Sequence, residues 1–182
     1  NSANATEHIL PKEVYPEYAV NVLNLIPACS ECNSFKLHDV VDQNGEIFTI
    51  NFYTDTLPDI RYLFARITHI EGGVQLEYYL ENRNGVDANL YALIERHFKR
   101  FHLIDRFYDK AVQELSNIEN YFKFEEITCE AEYDKVANKL IRKTDADAIA
   151  YGRNHWRIVM NYDAATSPVF KSYIMTQLNL TP

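Results

Sequence analysis

From Asp87 onward the apolar residues of this 182-residue chain recur at helical spacing, and that period limits the fold more than any other feature. Leu90, Leu93, Ile94, Phe98 and Phe101 lie on one stripe of a 3.6-residue repeat, and Ile104, Tyr108, Val112, Leu115, Ile118 and Phe122 continue it. The expectation is two consecutive helices, broken near His102, with Asp105 as the cap of the second. Three more helices are expected at roughly 131–143, 145–163 and 168–178. The last opens on Ser167-Pro168, an N-cap followed by proline at the first helical position. Tyr151 to Trp156 reads as a loop leading into a helix, with Trp156 buried. Before Asp87 the period is two. Ile47 to Tyr53 alternates weakly and predicts a strand, and Tyr62–Ile70 and Val74–Leu80 flank Glu71-Gly72-Gly73 as a hairpin. In the second arm Val74, Leu76, Tyr78 and Leu80 share one face. The fold class is α+β: a small module over 1–44, then 45–182 as a β-hairpin and a mostly helical C-terminal half packed with it.

Composition bounds what such a chain does. With 13 Tyr, 10 Phe and 47% apolar residues it can fill a core, which excludes a disordered tail. No run approaches the length of a membrane span, and no signal-peptide pattern is visible. Three cysteines, at 29, 32 and 129, are too few and too odd for a secreted disulfide framework, so a cytoplasmic setting is expected. The chain begins at Asn1, not Met, so a processed or truncated N-terminus is expected, and Asn1-Ser2-Ala3-Asn4-Ala5 reads as loop.

Chemistry concentrates in residues 6–36. Thr6-Glu7-His8-Ile9-Leu10-Pro11-Lys12 is followed by Asn24-Leu25-Ile26-Pro27-Ala28-Cys29-Ser30-Glu31-Cys32-Asn33-Ser34-Phe35-Lys36. An acidic residue directly before His, then Asn-Leu, then CxxC with Asn after it and Lys three further on, is informative as an ordered set. Each piece alone is common.

In that order and spacing the segment resembles the HNH nucleases, in the variant that ends Cys-x-x-Cys-Asn-x-x-Lys. The resemblance implies a ββα-metal module of two short strands and a helix around one divalent ion. It implies His8 as the general base, Glu7 as a metal ligand where the family usually has Asp, and Asn24 as the residue that holds the loop between the strands through backbone hydrogen bonds. Asn33 would ligate the ion from the helix, and Lys36 would contact phosphate. It further implies hydrolysis of phosphodiester bonds in DNA, with RNA left open, and Mg²⁺ or Mn²⁺ as cofactor. These roles suit the chemistry. A neutral imidazole can take a proton from water at working pH. A hard cation prefers carboxylate and amide oxygens and keeps much of its water. Because adjacent strand residues point to opposite faces, the chain must bend for Glu7 and His8 to share a site.

Cys29 and Cys32 have the spacing of half a structural zinc site. In many HNH proteins a second CxxC lies upstream. Here either that pair belongs to a missing N-terminal segment or the protein does without zinc, and His38 is near enough to be a third ligand. His97, His102 and His155 lie in helical stretches with Arg and Lys and read as solvated or partly buried.

Charge complicates the expected substrate. The net charge is -8, and residues 1–44 carry Lys12 and Lys36 against Glu7, Glu13, Glu17, Glu31, Asp39 and Asp42. Such a module repels a polyanion, although a bound divalent ion offsets part of this. The most basic stretch is Arg96, Lys99, Arg100, Arg106 and Lys110, a helix face that could run beside a duplex. Two alternatives stand beside the nuclease: a catalytically degenerate HNH-fold binding or scaffold module, and a structural zinc module without chemistry.

Overall fold

The hairpin forms where alternation and the double glycine predict it. In the computed structural model, which describes residues 3–180, strand β3 (Leu63–Ile70) pairs antiparallel with β4 (Gly73–Leu80), from Leu63↔Leu80 to Ile70↔Gly73. Gly72 turns between them at φ +82, a conformation without penalty only for glycine. Leu76 and Tyr78 are buried while Gln75 and Glu77 are exposed, the period-two pattern of a sheet with one covered face. A second, smaller ribbon lies near the N-terminus. There β1 (Ala5–His8) pairs antiparallel with β2 (Leu25–Ala28), and helix α1 (Ser30–Lys36) follows directly. Five longer helices complete the fold: α2 (Ala88–Arg100), α3 (Leu103–Phe124), α4 (Glu130–Tyr151), α5 (Trp156–Thr166) and α6 (Pro168–Gln177). The class is α+β, with two small antiparallel sheets and helices predominating.

The chain forms two units. The first runs to Pro58 and takes in Val86–Leu103; the second is Asp59–Gly85 with Ile104 onward. The boundary expected at residue 44 therefore differs from the division observed. The first unit extends through the following loop and recruits α2, and the hairpin belongs with the C-terminal helices. Asn1 and Ser2, part of the expected N-terminal loop, lie outside the described residues.

In the first unit the strand expected over Ile47–Tyr53 is not formed; only an isolated bridge, Val41↔Ile47, is present. Phe48 and Ile50 are buried as alternation suggests. Their backbone, however, is taken by side chains of α2. Arg96 Nε donates to the Ile47 carbonyl at 2.7 Å, and the Ile50 amide donates to His97 Nδ1 at 3.2 Å. Arg100 lies over the Phe48 ring at 4.8 Å, and Phe48 meets Phe101 edge-on. A helix thus supplies the partners that a neighbouring strand would have given.

His97 makes this seam sensitive to pH. Burial pushes its pKa down to about 4, opposed by a hydrogen bond with the Phe48 backbone. Protonation would also turn Nδ1 from an acceptor into a donor facing the Ile50 amide. The folded value lies below the unfolded one, so the unfolded chain binds more protons between them. Stability from this group is complete above about pH 6.5 and is lost as pH falls toward 4, by roughly 3 kcal/mol in total. Urea midpoints at neutral pH and near the lower value, compared between the parent and His97→Gln, measure the effect; the variant's curve is expected to be flatter.

In the second unit the stripe expected on α3 holds only in its second half: Leu115, Ile118 and Phe122 are buried, whereas Tyr108 and Val112 are exposed and Ala111 takes the buried position between them. Phe122 stacks on Tyr133 at 4.8 Å and meets Phe170 edge-on at 5.7 Å, joining α3, α4 and α6. The break near His102 is present, with His102 at φ +49. Asp105, expected to cap α3, instead lies within its first turn. Ser167 caps α6 as expected, its side chain accepting from the Phe170 amide.

The helices expected at 131–143 and 145–163 divide elsewhere. Thr144 is buried on the α4 stripe with Tyr133, Val136, Ala137, Leu140 and Ala148, so the helix runs on. It ends at Gly152, φ +84. The loop that follows is a structural joint. Asn154 Oδ1 accepts from the Tyr62 and Leu63 amides at 2.8 and 3.0 Å, and its Nδ2 donates to the Ile60 carbonyl at 2.9 Å. Trp156 opens α5 half-buried, not buried as expected.

Candidate functional site

The first two strands exist because a long loop between them is pinned. Asn24, only 5% exposed, stands just before β2. Its Oδ1 accepts from the Leu10 amide at 2.7 Å, and its Nδ2 donates to the carbonyls of Leu10 and Tyr18, each at 3.0 Å. Its own carbonyl accepts from the Ile9 amide at 2.9 Å. One buried amide side chain thus satisfies three backbone groups of a loop that contains two 3₁₀ turns. Asn24→Ala leaves those groups unpaired. It is expected to cost about 2–3 kcal/mol, read from the denaturant midpoint.

His8 is the last residue of β1, opposite Leu25. Its Nε2 lies 3.0 Å from the Ala19 carbonyl, in the loop that Asn24 braces. A carbonyl only accepts, so Nε2 carries the proton and the neutral ring keeps its lone pair on Nδ1. His8 as a residue is partly exposed.

Glu7 faces the other way, toward α1. Its Oε1 is 3.3 Å from Nζ of Lys36, with side-chain exposures of 13% and 1%. Lys36, expected to reach for phosphate, is therefore buried at the C-terminal end of α1 with its ammonium on Glu7. Nζ makes no hydrogen bond of good geometry, so the ion pair is its compensation. Its carbonyl accepts from Arg100 Nη2 at 2.9 Å, and Arg100 also pairs with Asp39 at 2.6 Å. Asn33, on α1 one residue after Cys32, is exposed.

Cys29 is the N-cap of α1, its Sγ accepting from the Cys32 amide at 3.4 Å. None of Cys29, Cys32 and Cys129 forms a disulfide. His38, considered as a third zinc ligand, pairs with Glu13 at 3.4 Å instead. Among the described residues no group of three or more His, Cys, Asp and Glu side chains is arranged to hold a metal.

The fit to a divalent ion rests on the donors themselves. Asn33 has an exposed amide, and the Lys36 ammonium lies on Oε1 of Glu7. Two protein oxygens suit an ion such as Mg²⁺ that retains its water. The Lys36 ammonium weakens any cation at that carboxylate, since two positive charges share one negative partner.

The basic stretch 96–110 is not one helix face. It is divided by the break at His102, and Arg96 and Arg100 are held by Glu46 and Asp39. No helix among the described residues is long and apolar enough to cross a membrane. Searches against known protein families, curated proteins and solved structures found no match.

Proposed function

We propose that the chain is a metal-dependent endonuclease of the HNH type that hydrolyses phosphodiester bonds in DNA. The observation that carries this reading is His8. A partly exposed histidine at the end of β1 has Nε2 held by the Ala19 carbonyl at 3.0 Å, which leaves Nδ1 free to accept a proton from water. The loop that holds it is fastened by Asn24 through three hydrogen bonds. The antiparallel ribbon of β1 and β2 with α1 following supports a ββα arrangement, with Glu7 on the first strand and Asn33 on the helix.

In this reading Glu7 and Asn33 hold the ion. Mg²⁺ or Mn²⁺ bound there supplies neutralisation of charge on the phosphate and the leaving oxygen. His8 positions and deprotonates the attacking water. Cys29 acts as the cap of α1, and a structural Zn²⁺ on Cys29 and Cys32 would need further ligands.

A second reading is favoured by one observation. The buried Lys36 ammonium already neutralises Glu7, as expected of an HNH-fold binding or scaffold module that has given up its ion. Incubation of the purified chain with plasmid DNA and with RNA, in Mg²⁺ and in Mn²⁺, separates the two. Cleavage that EDTA stops supports the nuclease. Silence on both substrates with both ions supports the binding module.

A further inference from the structure

Phe64 is buried on the side of the hairpin that should be open to solvent. Its neighbours on that face, Arg66 and Thr68, are exposed, yet Phe64 keeps only 5% of its surface. Two guanidiniums cover it: Arg83 lies 3.5 Å from the ring centre and Arg61 4.7 Å. Arg61 also lies 4.8 Å from the Tyr162 ring, and Arg66 lies 5.1 Å from the Tyr79 ring. Three arginines, one before β3, one within it and one after β4, thus line a single cleft of about 430 Å³ in the second unit.

Their charge is only partly spent. Arg61 is bidentate to Asp163 at 2.7 and 2.6 Å, and that carboxylate also accepts from the Ala65 amide. Arg83 pairs with Glu81 at 3.0 Å and donates to the Tyr79 hydroxyl at 3.0 Å. Arg66 stands opposite Glu77 in the ladder, but among the described residues it forms no ion pair. Three guanidiniums therefore face two engaged carboxylates, in a chain whose net charge is -8. Aromatic rings against the three guanidiniums restrict their motion, and a guanidinium held at a cleft wall is chemically suited to phosphate oxygens.

We propose that this cleft binds the phosphates of a nucleic-acid strand; the choice of strand over other phosphates rests on the nuclease reading above. It answers a difficulty of that reading. Residues 1–44 carry two lysines against six carboxylates, and one of those lysines is buried. Phosphate affinity, which comes largely from counterion release, must then be supplied elsewhere in the chain.

The test is fluorescence anisotropy of a labelled oligonucleotide, single-stranded or duplex, with the full chain in EDTA, so that binding is read without cleavage. The parent is expected to bind with an affinity that falls steeply with salt. Arg66→Ala/Arg83→Ala is expected to bind about tenfold more weakly or worse, with the log–log salt slope reduced by about 2. Arg66→Lys/Arg83→Lys should keep most of that slope, which guards against a folding defect in the alanine variant. Inorganic phosphate and AMP should compete only weakly. Unchanged affinity and slope in the alanine variant, no binding by the parent, or AMP held as tightly as the strand would each overturn the proposal. Plasmid cleavage measured in parallel keeps the two ideas apart. Cutting by the parent with binding indifferent to the arginines removes only the cleft; arginine-dependent binding without cutting removes only the nuclease.

Discussion

His8→Ala is expected to lower the rate of Mg²⁺-dependent plasmid cleavage by about 10²–10⁴-fold, the usual contribution of a positioned general base. That corresponds to roughly 3–5 kcal/mol of activation free energy. The same substitution removes one hydrogen bond, from Nε2 to the Ala19 carbonyl, and should cost only about 1 kcal/mol of stability. The gap between the two effects makes the test decisive. A structural histidine would lose stability and activity together, whereas a base loses activity alone. His8→Gln sharpens the comparison, because its amide can still donate to Ala19 but cannot take a proton from water. Both variants are expected to be inactive with near-parental denaturant midpoints. Parental cleavage by His8→Gln would remove the base from His8.

What the sequence revealed followed from how far apart the interacting groups lie. The hairpin was legible because its signals are local: two glycines at the turn and alternating residues on each arm. Ser167-Pro168 and the break at His102 were legible for the same reason. The division expected at residue 144 failed because Thr144 lies on the buried stripe of α4 and Gly152 makes the actual end. The alternation of Ile47–Tyr53 misled because its backbone partners are Arg96 and His97, almost fifty residues away in the chain.

The site divides in the same manner. Residue type and order marked Glu7, His8, Asn24 and Asn33 as candidates, but no local pattern shows that Lys36 folds back onto Glu7. A lysine after CxxCN reads as a surface cation until α1 is set against β1. The arginine cleft was less visible still. Arg61, Arg66 and Arg83 are spread over two strands and their flanks, and Arg61 meets Asp163 about a hundred residues downstream. The one local hint was Arg66 two residues after Phe64, on the same face of β3.

The pairing of Lys36 with Glu7 yields the second large effect. Glu7→Ala strands an ammonium that is 1% exposed and has no other hydrogen-bond partner, and breaking a buried ion pair from one side costs about 3–5 kcal/mol. Lys36→Met fills the same space without the charge and leaves a carboxylate with 13% exposure that can also take up a proton, so it should cost less. In Glu7→Leu/Lys36→Met both charges are gone, and stability should return close to that of the parent. Denaturant midpoints of the three variants check this order. The same lysine gives a test of the ion. If Glu7 holds a divalent cation, the ammonium at 3.3 Å competes for its charge, and Lys36→Met should tighten Mn²⁺ binding by about tenfold or more in calorimetric titration. If Glu7 serves only as the counter-ion of Lys36, removing the lysine leaves Mn²⁺ affinity where it was, and the carboxylate drops out of the proposed metal site.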